Sequence, residues 1–295
     1  MTRKFTGCGT ALVTPFNEIS QVDGRALRRL VDWQIESGID FLVPCGTTGE
    51  SPTLSDEEQL LIIRLVVEQA AGRVPVVAGT GSNDLAHALE LTWQAKEAGA
   101  DGCLVVSPYY NKPTQQGLYA YFTAIAELGL PVIVYNIPGR TGVNIMPETM
   151  KELARHPNIT GIKEATGNLE QMADDILRCG ESVTYLSGDD TLTLPLLSLG
   201  GHGVISVISN VVPFLTATMV HAARRGQWDE ARKVFFALFP LAQAMFLETN
   251  PIPVKEAMAS LGLLEPVWRL PMTPPEQRTR DIVRERLGAL GIRTS

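Results

Sequence analysis

The sequence NITGIKEATG at residues 158–167 is a short apolar run that ends on a lysine and then breaks at a glycine. Its length and flanking residues predict a buried strand, and alternation along a strand sends Ile159, Gly161 and Lys163 to one face. A lysine is almost never fully buried unless it is paired or used. Lys163 is therefore either a strand end whose ammonium reaches solvent, or an imine-forming amine made nucleophilic by desolvation.

Similar apolar runs alternate with segments of helical length along the chain. Eight of them have strand length, at residues 9–16, 41–45, 74–78, 103–107, 131–135, 159–163, 184–187 and 203–209. Near-continuous apolar strands separated by helices are typical of a parallel sheet covered on both faces. Eight such units, with no GxGxxG after the first strand, favour an α/β fold of the (β/α)8 TIM barrel type over a doubly wound sheet.

Three of the predicted helices have recognisable starts. The first follows Asp23, the second follows Ser55 with Glu58 three residues later, and the third follows Ser82-Asn83-Asp84. Side chains of this kind accept hydrogen bonds from the first free N–H groups of a helix. These positions therefore predict where the helices begin.

The alternation ends after Gly226, and residues 228–247, 253–261 and 274–290 have only helical patterns. These residues are too few and too helical for another α/β domain. We expect a barrel catalytic domain at residues 1–225 and a C-terminal helical layer at residues 226–295. Apolar residues between Phe235 and Phe246 cover more than one face of the first helix in this layer, which predicts packing on the barrel or on another subunit.

Composition and charge argue against several classes of function. The net charge is -7 and lysine and arginine are spread along the chain, which disfavours a nucleic-acid or membrane surface. No apolar leader and no long uninterrupted apolar segment is present, so we expect a soluble, cytoplasmic protein. The four separated cysteines predict reduced core residues, and the four histidines lack metal-binding spacing, so we expect neither a metal nor a cofactor.

The active site of a (β/α)8 barrel forms at the C-terminal ends of its strands, so polar residues just after each apolar run are the candidates. An amine, several hydroxyls and one guanidinium would then face a common mouth. The candidates are the turn Gly46-Thr47-Thr48-Gly49-Glu50, Tyr109 and Tyr110, Tyr135, Arg140, Lys163, the run Gly188-Asp189-Asp190, and Ile205.

Each candidate also has a purely structural interpretation. The glycine-bracketed turn at residues 46–49 could cradle an anion on its N–H groups or be a simple turn, and without a following Lys-Ser/Thr it is not a P-loop. Tyr110 and Tyr135 could be packed rings, and Arg140 could be a surface charge. The pair Asp189-Asp190 is more typical of a helix N-cap than of a catalytic carboxylate dyad. A functional site is favoured because all of these candidates are predicted to lie at the same end of the barrel.

Seven segments of this chain resemble the dihydrodipicolinate synthase family, within the superfamily of N-acetylneuraminate lyases and class I pyruvate aldolases. They run in order along most of the chain: GTTGES at 46–51, YYNKPT at 109–114, YNIPGRTG at 135–142, GIKEATG at 161–167, SGDD at 187–190, GGHGVIS at 200–206 and NPIPVK at 250–255. The resemblance implies a Schiff-base lyase of lysine and diaminopimelate biosynthesis. Such a lyase condenses pyruvate with L-aspartate 4-semialdehyde to give 4-hydroxy-tetrahydrodipicolinate.

The matching positions imply roles in catalysis. Lys163 would form the imine with the pyruvate ketone, and burial lowers the pKa of an amine toward the neutral form that attacks. Tyr135 matches the proton donor and acceptor of the family. Thr47 and Tyr110 would complete a hydroxyl relay to solvent.

The matching positions also imply roles in substrate binding. Thr48, the backbone at Ile205 and Gly188 match positions at the pyruvate site. Arg140 matches the arginine that holds the semialdehyde carboxylate. A planar guanidinium can bind a carboxylate through two hydrogen bonds and so suits this role better than a lysine. The resemblance further implies a homotetramer built as a dimer of dimers, with Tyr110 donated across the dimer interface.

Two other interpretations remain. Another class I pyruvate aldolase, such as N-acetylneuraminate lyase or hydroxy-oxoglutarate aldolase, shares the lysine, the tyrosine and the glycine-threonine turn. The double tyrosine, Tyr109 and Tyr110, together with Arg140 favours the synthase. A non-catalytic binding paralogue would be expected to lack one of Lys163, Tyr135, Thr47 or Tyr110, and all are present.

The chain departs from the lysine-inhibited members of the family at their effector site. That site matches Ser51, Asp56, Gln59, Asn83, His87 and Tyr109. The inhibited members have a carboxylate at the position of His87, and histidine or a similar residue at those of Asp56 and Gln59. A bound lysine ammonium would lose this charge partner here, so we expect weak or absent feedback inhibition by lysine.

Overall fold

The computed structural model describes residues 5–294, and within them eight parallel strands form a single sheet. Each strand is followed by at least one helical segment before the next begins. The strands are β1 (Gly7–Ala11), β2 (Phe41–Val43), β3 (Val77–Gly79), β4 (Gly102–Val106), β5 (Val132–Asn136), β6 (Ile159–Glu164), β7 (Thr184–Ser187) and β8 (Gly203–Ser206).

The sheet is closed into a barrel. Its strands pair in the order β2-β1-β8-β7-β6-β5-β4-β3. The remaining gap between β2 and β3 is bridged because the N–H of Leu42 donates to the carbonyl of Pro75 at 3.0 Å and that of Gly79 to Pro44 at 2.8 Å. The predicted (β/α)8 barrel is therefore confirmed.

The strands β1 and β8 end three or more residues before the apolar runs that predicted them. β1 stops at Ala11 because the next residues turn toward side-chain acceptors, and the N–H of Val13 donates to Asn210 Oδ1 at 3.1 Å. β8 stops at Ser206 because Asp190 Oδ2 accepts the N–H groups of Val207 and Ile208 at 2.9 and 3.0 Å. Both runs stay buried after they leave the sheet, so hydrophobicity alone does not mark where each strand ends.

The helices that cover the barrel include several short ones that the sequence pattern did not resolve. They are α1 (Gly24–Glu36), α2 (Asp56–Ala70), α3 (Leu85–Glu97), α4 (Gln115–Ala126), α5 (Pro138–Thr141), α6 (Pro147–Leu153), α7 (Leu169–Cys179), α8 (Thr193–Ser198), α9 (Pro213–Arg224), α10 (Trp228–Ala244), α11 (Ile252–Ser260) and α12 (Gln277–Ala289).

The predicted helix starts are confirmed. Asp23 accepts the N–H groups of Arg25 and Ala26 at the start of α1. Ser55 and Glu58 form a reciprocal capping box at α2, and the side chain of Asp84 caps α3. Each cap satisfies N–H groups that have no partner inside the helix.

The C-terminal helices α10, α11 and α12 confirm the predicted helical extension. Their side chains Leu238, Val254 and Val283 belong to the same hydrophobic cluster as Leu12 and Leu42 near the first two strands. The division into units at residues 225 and 226 stays a prediction, since the two parts share this core. No helix within residues 5–294 is long and apolar enough to cross a membrane.

Candidate active site

Lys163 and Tyr135 lie side by side on neighbouring strands near the C-terminal end of the barrel. They are direct partners in the parallel register of β5 and β6. The Lys163 Nζ atom lies 4.1 Å from the centre of the Tyr135 ring. Each residue is only 5% exposed, so Lys163 is not the strand-end lysine with a solvated ammonium that the sequence also allowed.

Burial shifts the pKa of both groups. It lowers the pKa of Lys163 to about 7, an effect that the Asp190 carboxylate opposes and the Arg140 guanidinium reinforces. Near neutral pH a large fraction of Lys163 is therefore the unprotonated, nucleophilic amine. Burial raises the pKa of Tyr135 well above its ordinary value, so this side chain stays a phenol that can donate its proton.

A cavity, which we name the catalytic cavity, opens at Lys163 and Tyr135. It is lined by six of the eight residues for which the sequence predicted a catalytic or binding role, and Tyr110 and Ile205 are the two others. Its lining residues are Ala11, Val43, Gly46, Thr47, Thr48, Leu104, Tyr135, Ile137, Arg140, Lys163, Gly188, Val207, Phe246 and Asn250. The barrel therefore brings together an amine, a phenol, two hydroxyls and a guanidinium.

Thr48 and Arg140 are both held by Asn250. Asn250 Nδ2 donates a hydrogen bond to Thr48 Oγ1 at 2.9 Å, and Arg140 Nη2 donates to the Asn250 carbonyl at 3.1 Å. Thr48 is buried, whereas Arg140 is exposed at the edge of the cavity. Arg140 is thus at the cavity mouth, where an incoming anionic substrate would meet it.

Gly188 leaves the space that the lysine side chain occupies. A Cβ atom at this position would lie 2.8 Å from Ala165 Cβ and 3.0 Å from Lys163 Cε. Both approaches are closer than carbon atoms normally allow. Gly188 is therefore needed at the cavity wall because any side chain there would displace Lys163.

Two predicted site residues are not among those that line the catalytic cavity. Ile205 is fully buried in β8 and packs with Tyr135 and Leu186 in the hydrophobic cluster inside the barrel. Tyr110 is 89% exposed, and its backbone has a φ of 73°, in the left-handed region. A role for Tyr110 across a subunit interface stays a prediction.

Asp189 and Asp190 have different structural functions. Asp189 caps a short 3-10 helix by accepting the Thr191 N–H, as the sequence pattern indicated. Asp190 is buried and accepts two backbone N–H groups from the segment after β8. Its negative charge faces Lys163 closely enough to raise the pKa of that amine, although it does not line the cavity.

Several cavity residues were not predicted from the sequence, among them Val207, Phe246 and Asn250. Val207 lies just after β8 in an apolar run, where nothing separates it from core residues. We expected Phe246 to pack in the core or on another subunit, yet it is 47% exposed at the cavity. Asn250 is in the segment NPIPVK at residues 250–255, and a polar residue between two apolar helical segments was the available signal.

A second cavity, which we name the side cavity, adjoins the first and shares Thr47, Ile137 and Arg140 with it. Its volume of about 380 Å³ is that of a small-molecule site. Ser51, Asp56, Gln59, His87 and Tyr109, which match the effector site of lysine-inhibited relatives, are among its lining residues.

The side cavity still contains a carboxylate, but from Asp56 rather than from position 87. His87 Nε2 lies 2.9 Å from Asp56 Oδ1, and His87 Nδ1 lies 3.3 Å from Ser82 Oγ. An ammonium group entering the cavity would therefore compete with the His87 imidazole for Asp56. Weak or absent inhibition by lysine stays a prediction, and the contact between His87 and Asp56 is a physical reason to expect it.

Comparison with known proteins agrees with this arrangement. A model of the dihydrodipicolinate synthetase family matches residues 4–290. The 4-hydroxy-tetrahydrodipicolinate synthase of Nitratidesulfovibrio vulgaris (strain DP4) is 54% identical over 291 residues, which cover 98% of this chain and 99% of the relative. The enzyme of the same name from Maridesulfovibrio salexigens is 52% identical over 290 residues, with the same coverage of both chains.

Among solved structures, the dihydrodipicolinate synthase of Aquifex aeolicus superposes with a TM-score of 0.97 at 46% sequence identity. The match covers 99% of this chain and 100% of that one. Family model, sequence identity and structure therefore agree over nearly the whole length. The chain belongs to the dihydrodipicolinate synthetase family.

Proposed function

We propose that this chain is a Schiff-base lyase that condenses pyruvate with L-aspartate 4-semialdehyde to give 4-hydroxy-tetrahydrodipicolinate, in lysine and diaminopimelate biosynthesis. The two relatives described above are named 4-hydroxy-tetrahydrodipicolinate synthase, and this chain matches nearly the whole length of each. The observation that carries the proposal is the Lys163 amine, buried next to Tyr135 with its pKa lowered to about 7.

The first half of the reaction activates pyruvate. The neutral Lys163 amine attacks the pyruvate ketone carbon, and loss of water gives an imine. Loss of a proton from the pyruvate methyl group then gives an enamine. Tyr135 is the group next to Lys163 that can give and take these protons, and positioned acid–base groups of this kind contribute about 10²–10⁴-fold to rates.

The second half joins the carbon chains. The enamine carbon attacks the aldehyde of the semialdehyde, and the resulting alkoxide takes a proton to become a hydroxyl. The substrate amine then attacks the imine carbon, which closes the ring and releases Lys163. Arg140 at the cavity mouth is suited to hold the semialdehyde carboxylate, because its fork can donate two parallel hydrogen bonds.

Two measurements test this proposal. The purified protein should consume pyruvate only when L-aspartate semialdehyde is present and should form the cyclic product, identified by mass spectrometry. N-acetylmannosamine and glyoxylate, offered separately, test the other aldolase activities. Preferred turnover of either would reject the synthase assignment while leaving the imine mechanism in place.

Borohydride reduction tests the imine itself, since it converts the adduct to a stable secondary amine. Peptide mass spectrometry should show a pyruvate-dependent mass increase on Lys163. Lys255, also buried but paired with a carboxylate, provides the internal control and should remain unmodified. A folded protein with no adduct on Lys163 would rule the mechanism out.

We further propose a cytoplasmic homotetramer arranged as a dimer of dimers, in which Tyr110 completes the site of a partner subunit. Support for the interface role comes from the exposure of Tyr110 and its absence from the residues that line the catalytic cavity of its own chain. The four buried free cysteines suit a reducing compartment. Sedimentation velocity of the purified enzyme should give the mass of a tetramer, and a monomer at working concentration would reject this assembly.

A further inference from the structure

The turn that carries Thr47 and Thr48 is bounded by two residues in an unfavourable backbone conformation. Cys45 has a φ of 57° and Glu50 a φ of 58°, both in the left-handed region. Residues other than glycine adopt this region at a cost in free energy and stay there only where the surrounding structure holds them. Something must therefore hold this turn in place.

A buried ion pair contacts the turn at its last residue. Lys255 Nζ lies 2.5 Å from Glu50 Oε1, and both side chains are almost completely buried. Glu50 Oε2 accepts the backbone N–H of Arg269 at 3.3 Å. Lys255 is on α11, so the pair connects the C-terminal helical layer directly to an active-site turn.

The same layer contacts the turn at a second point. Asn250, two residues before α11, donates its amide hydrogen to Thr48 Oγ1 and accepts a hydrogen bond from Arg140. The segment from Asn250 to Lys255 thus contacts the turn at Thr48 and at Glu50. Because both contacts come from one short segment at the start of α11, they restrict both the position and the orientation of the turn.

Further contacts fix the cations of this cluster. Lys255 Nζ and Arg269 Cζ each lie 4.3 Å from the centre of the Phe16 ring. The Arg269 guanidinium donates to both oxygens of Glu58 at 2.6 Å, which anchors the C-terminal loop on α2. The geometry of the Glu50–Lys255 pair is therefore set from several directions.

A buried ion pair is a poor way to gain stability, because removing both charges from water costs free energy that their attraction only partly offsets. Well-packed apolar side chains of similar size often stabilise a protein as well or better. An apolar pair, however, would not restrict the direction of approach as a hydrogen-bonded charge pair does. The pair is thus better explained by positioning than by stability.

We propose that Glu50 and Lys255 are positioning residues, whose buried ion pair holds the turn at residues 46–50 so that Thr47 and Thr48 stay at the wall of the catalytic cavity. This inference rests on the proposed function and goes beyond it. It gives the C-terminal helical layer a role in catalysis, as the support of an active-site turn.

The double variant Glu50→Gln/Lys255→Met tests the proposal, because it removes both charges and leaves neither one buried alone. We expect the double variant to fold. Its kcat for the condensation should fall by about tenfold or more, because small displacements of catalytic groups slow a reaction strongly. Its KM for pyruvate should rise by a similar factor. The pH profile of imine formation should be unchanged, since the charges that shift the pKa of Lys163 are Asp190 and Arg140.

Controls separate positioning from loss of stability. Leu153→Ala creates a cavity in the other hydrophobic core, at the last residue of α6, and should lower the thermal unfolding midpoint while kcat and KM stay unchanged. The single variant Lys255→Met leaves Glu50 buried and unpaired, so it should unfold at a lower temperature than the double variant.

The outcomes are distinct. A folded double variant with the kcat and KM of the unmodified enzyme overturns the proposal, as does an equal loss of activity in Leu153→Ala. If the unmodified enzyme turns over none of the aldehydes, the proposed function fails. The role of the turn is then still tested by the rate of borohydride trapping with pyruvate, which the double variant should slow and Leu153→Ala should not.

Discussion

The Lys163 Nζ atom lies 4.1 Å from the centre of the Tyr135 ring, and the two residues are register partners on adjacent strands of the barrel. This contact places the only kind of side chain that forms a stable imine next to a phenol whose pKa burial raises. In parallel strands a register pair points to the same side of the sheet, so the contact follows from the pairing of β5 with β6. Nucleophile and proton donor are therefore fixed by main-chain hydrogen bonds.

The pH dependence of imine formation should follow the Lys163 amine. Its pKa of about 7 means that the ammonium form dominates below that pH and the reactive amine above it. We expect the rate of pyruvate-dependent borohydride trapping to rise through about pH 7 and to level off near pH 8. A rate that rises only near the pKa of a solvated lysine would contradict the burial argument.

The position of this profile should depend on Asp190. Its carboxylate favours the ammonium form and so raises the pKa of Lys163, so Asp190→Asn should move the profile to lower pH. Asp174→Asn is the control, because that carboxylate pairs with Arg178 on the outer helix α7 and should leave the profile in place. The sign of the shift is the result that matters, and a move to higher pH would refute the assignment.

Removing the Tyr135 hydroxyl should separate imine formation from turnover. Tyr135→Phe keeps the ring beside Lys163 but loses the acid–base group, so we expect kcat to fall by about 10²–10⁴-fold while the imine can still be trapped. Tyr185→Phe is a matched control, since its hydroxyl donates to the Gly180 carbonyl at 2.7 Å and lies in a different cluster. Equal losses in both variants would indicate a general packing defect.

A methyl group at position 188 should disturb the lysine directly. In Gly188→Ala the new Cβ would lie 3.0 Å from Lys163 Cε and 2.8 Å from Ala165 Cβ, so we expect kcat to fall by about tenfold or more. Gly288→Ala on α12 adds the same methyl group where no atom lies within 4 Å and should not change kcat. Wild-type kinetics in Gly188→Ala would show that the lysine does not need this space.

Complementation between inactive subunits tests the location of Tyr110. If Tyr110 serves a partner's site, a dimer of one Tyr110→Phe and one Lys163→Met subunit contains one site with both native residues. Random exchange of equal amounts should then restore about a quarter of the wild-type activity, because half of the dimers are mixed and each has one complete site of two. If Tyr110 serves its own chain, the mixture stays as inactive as its parts.

Lysine should inhibit the enzyme weakly or not at all, because the Asp56 carboxylate in the side cavity is already bound by His87. A titration of initial rates with L-lysine tests this, with both substrates near their KM. The variant His87→Ala frees Asp56 and should bind lysine more tightly than the unmodified enzyme. Strong inhibition of the unmodified enzyme at micromolar lysine would overturn the prediction.

The sequence was sufficient for the class of fold and for the central residue of the site. Alternating apolar runs and helical segments predict a barrel because a parallel sheet must be covered on both faces. The end of such a run singled out Lys163, but the pattern allowed both a solvated ammonium and a buried amine, and only the structure shows that it is buried. The caps at Asp23, Ser55 and Asp84 were also predictable, because capping depends on a few adjacent residues.

The sequence did not determine which apolar residues leave the sheet or which distant residues reach the cavity. β1 and β8 end where Asn210 and Asp190 accept backbone hydrogen bonds, and no local pattern predicts such contacts. Phe246 and Asn250 reach the cavity from the C-terminal layer, more than 80 residues after Lys163. Their positions depend on how that layer packs on the barrel.

By itself the sequence determined the barrel, its helical extension and the side chains able to perform imine chemistry, because periodicity and strand-end placement are local properties of the chain. The tertiary structure decided three further features: the 4.1 Å contact of Lys163 with Tyr135, the pairing of Asp56 with His87, and the buried contact of Glu50 with Lys255. Each feature joins residues distant in sequence. The reactivity of a buried charge depends on the groups that folding places around it.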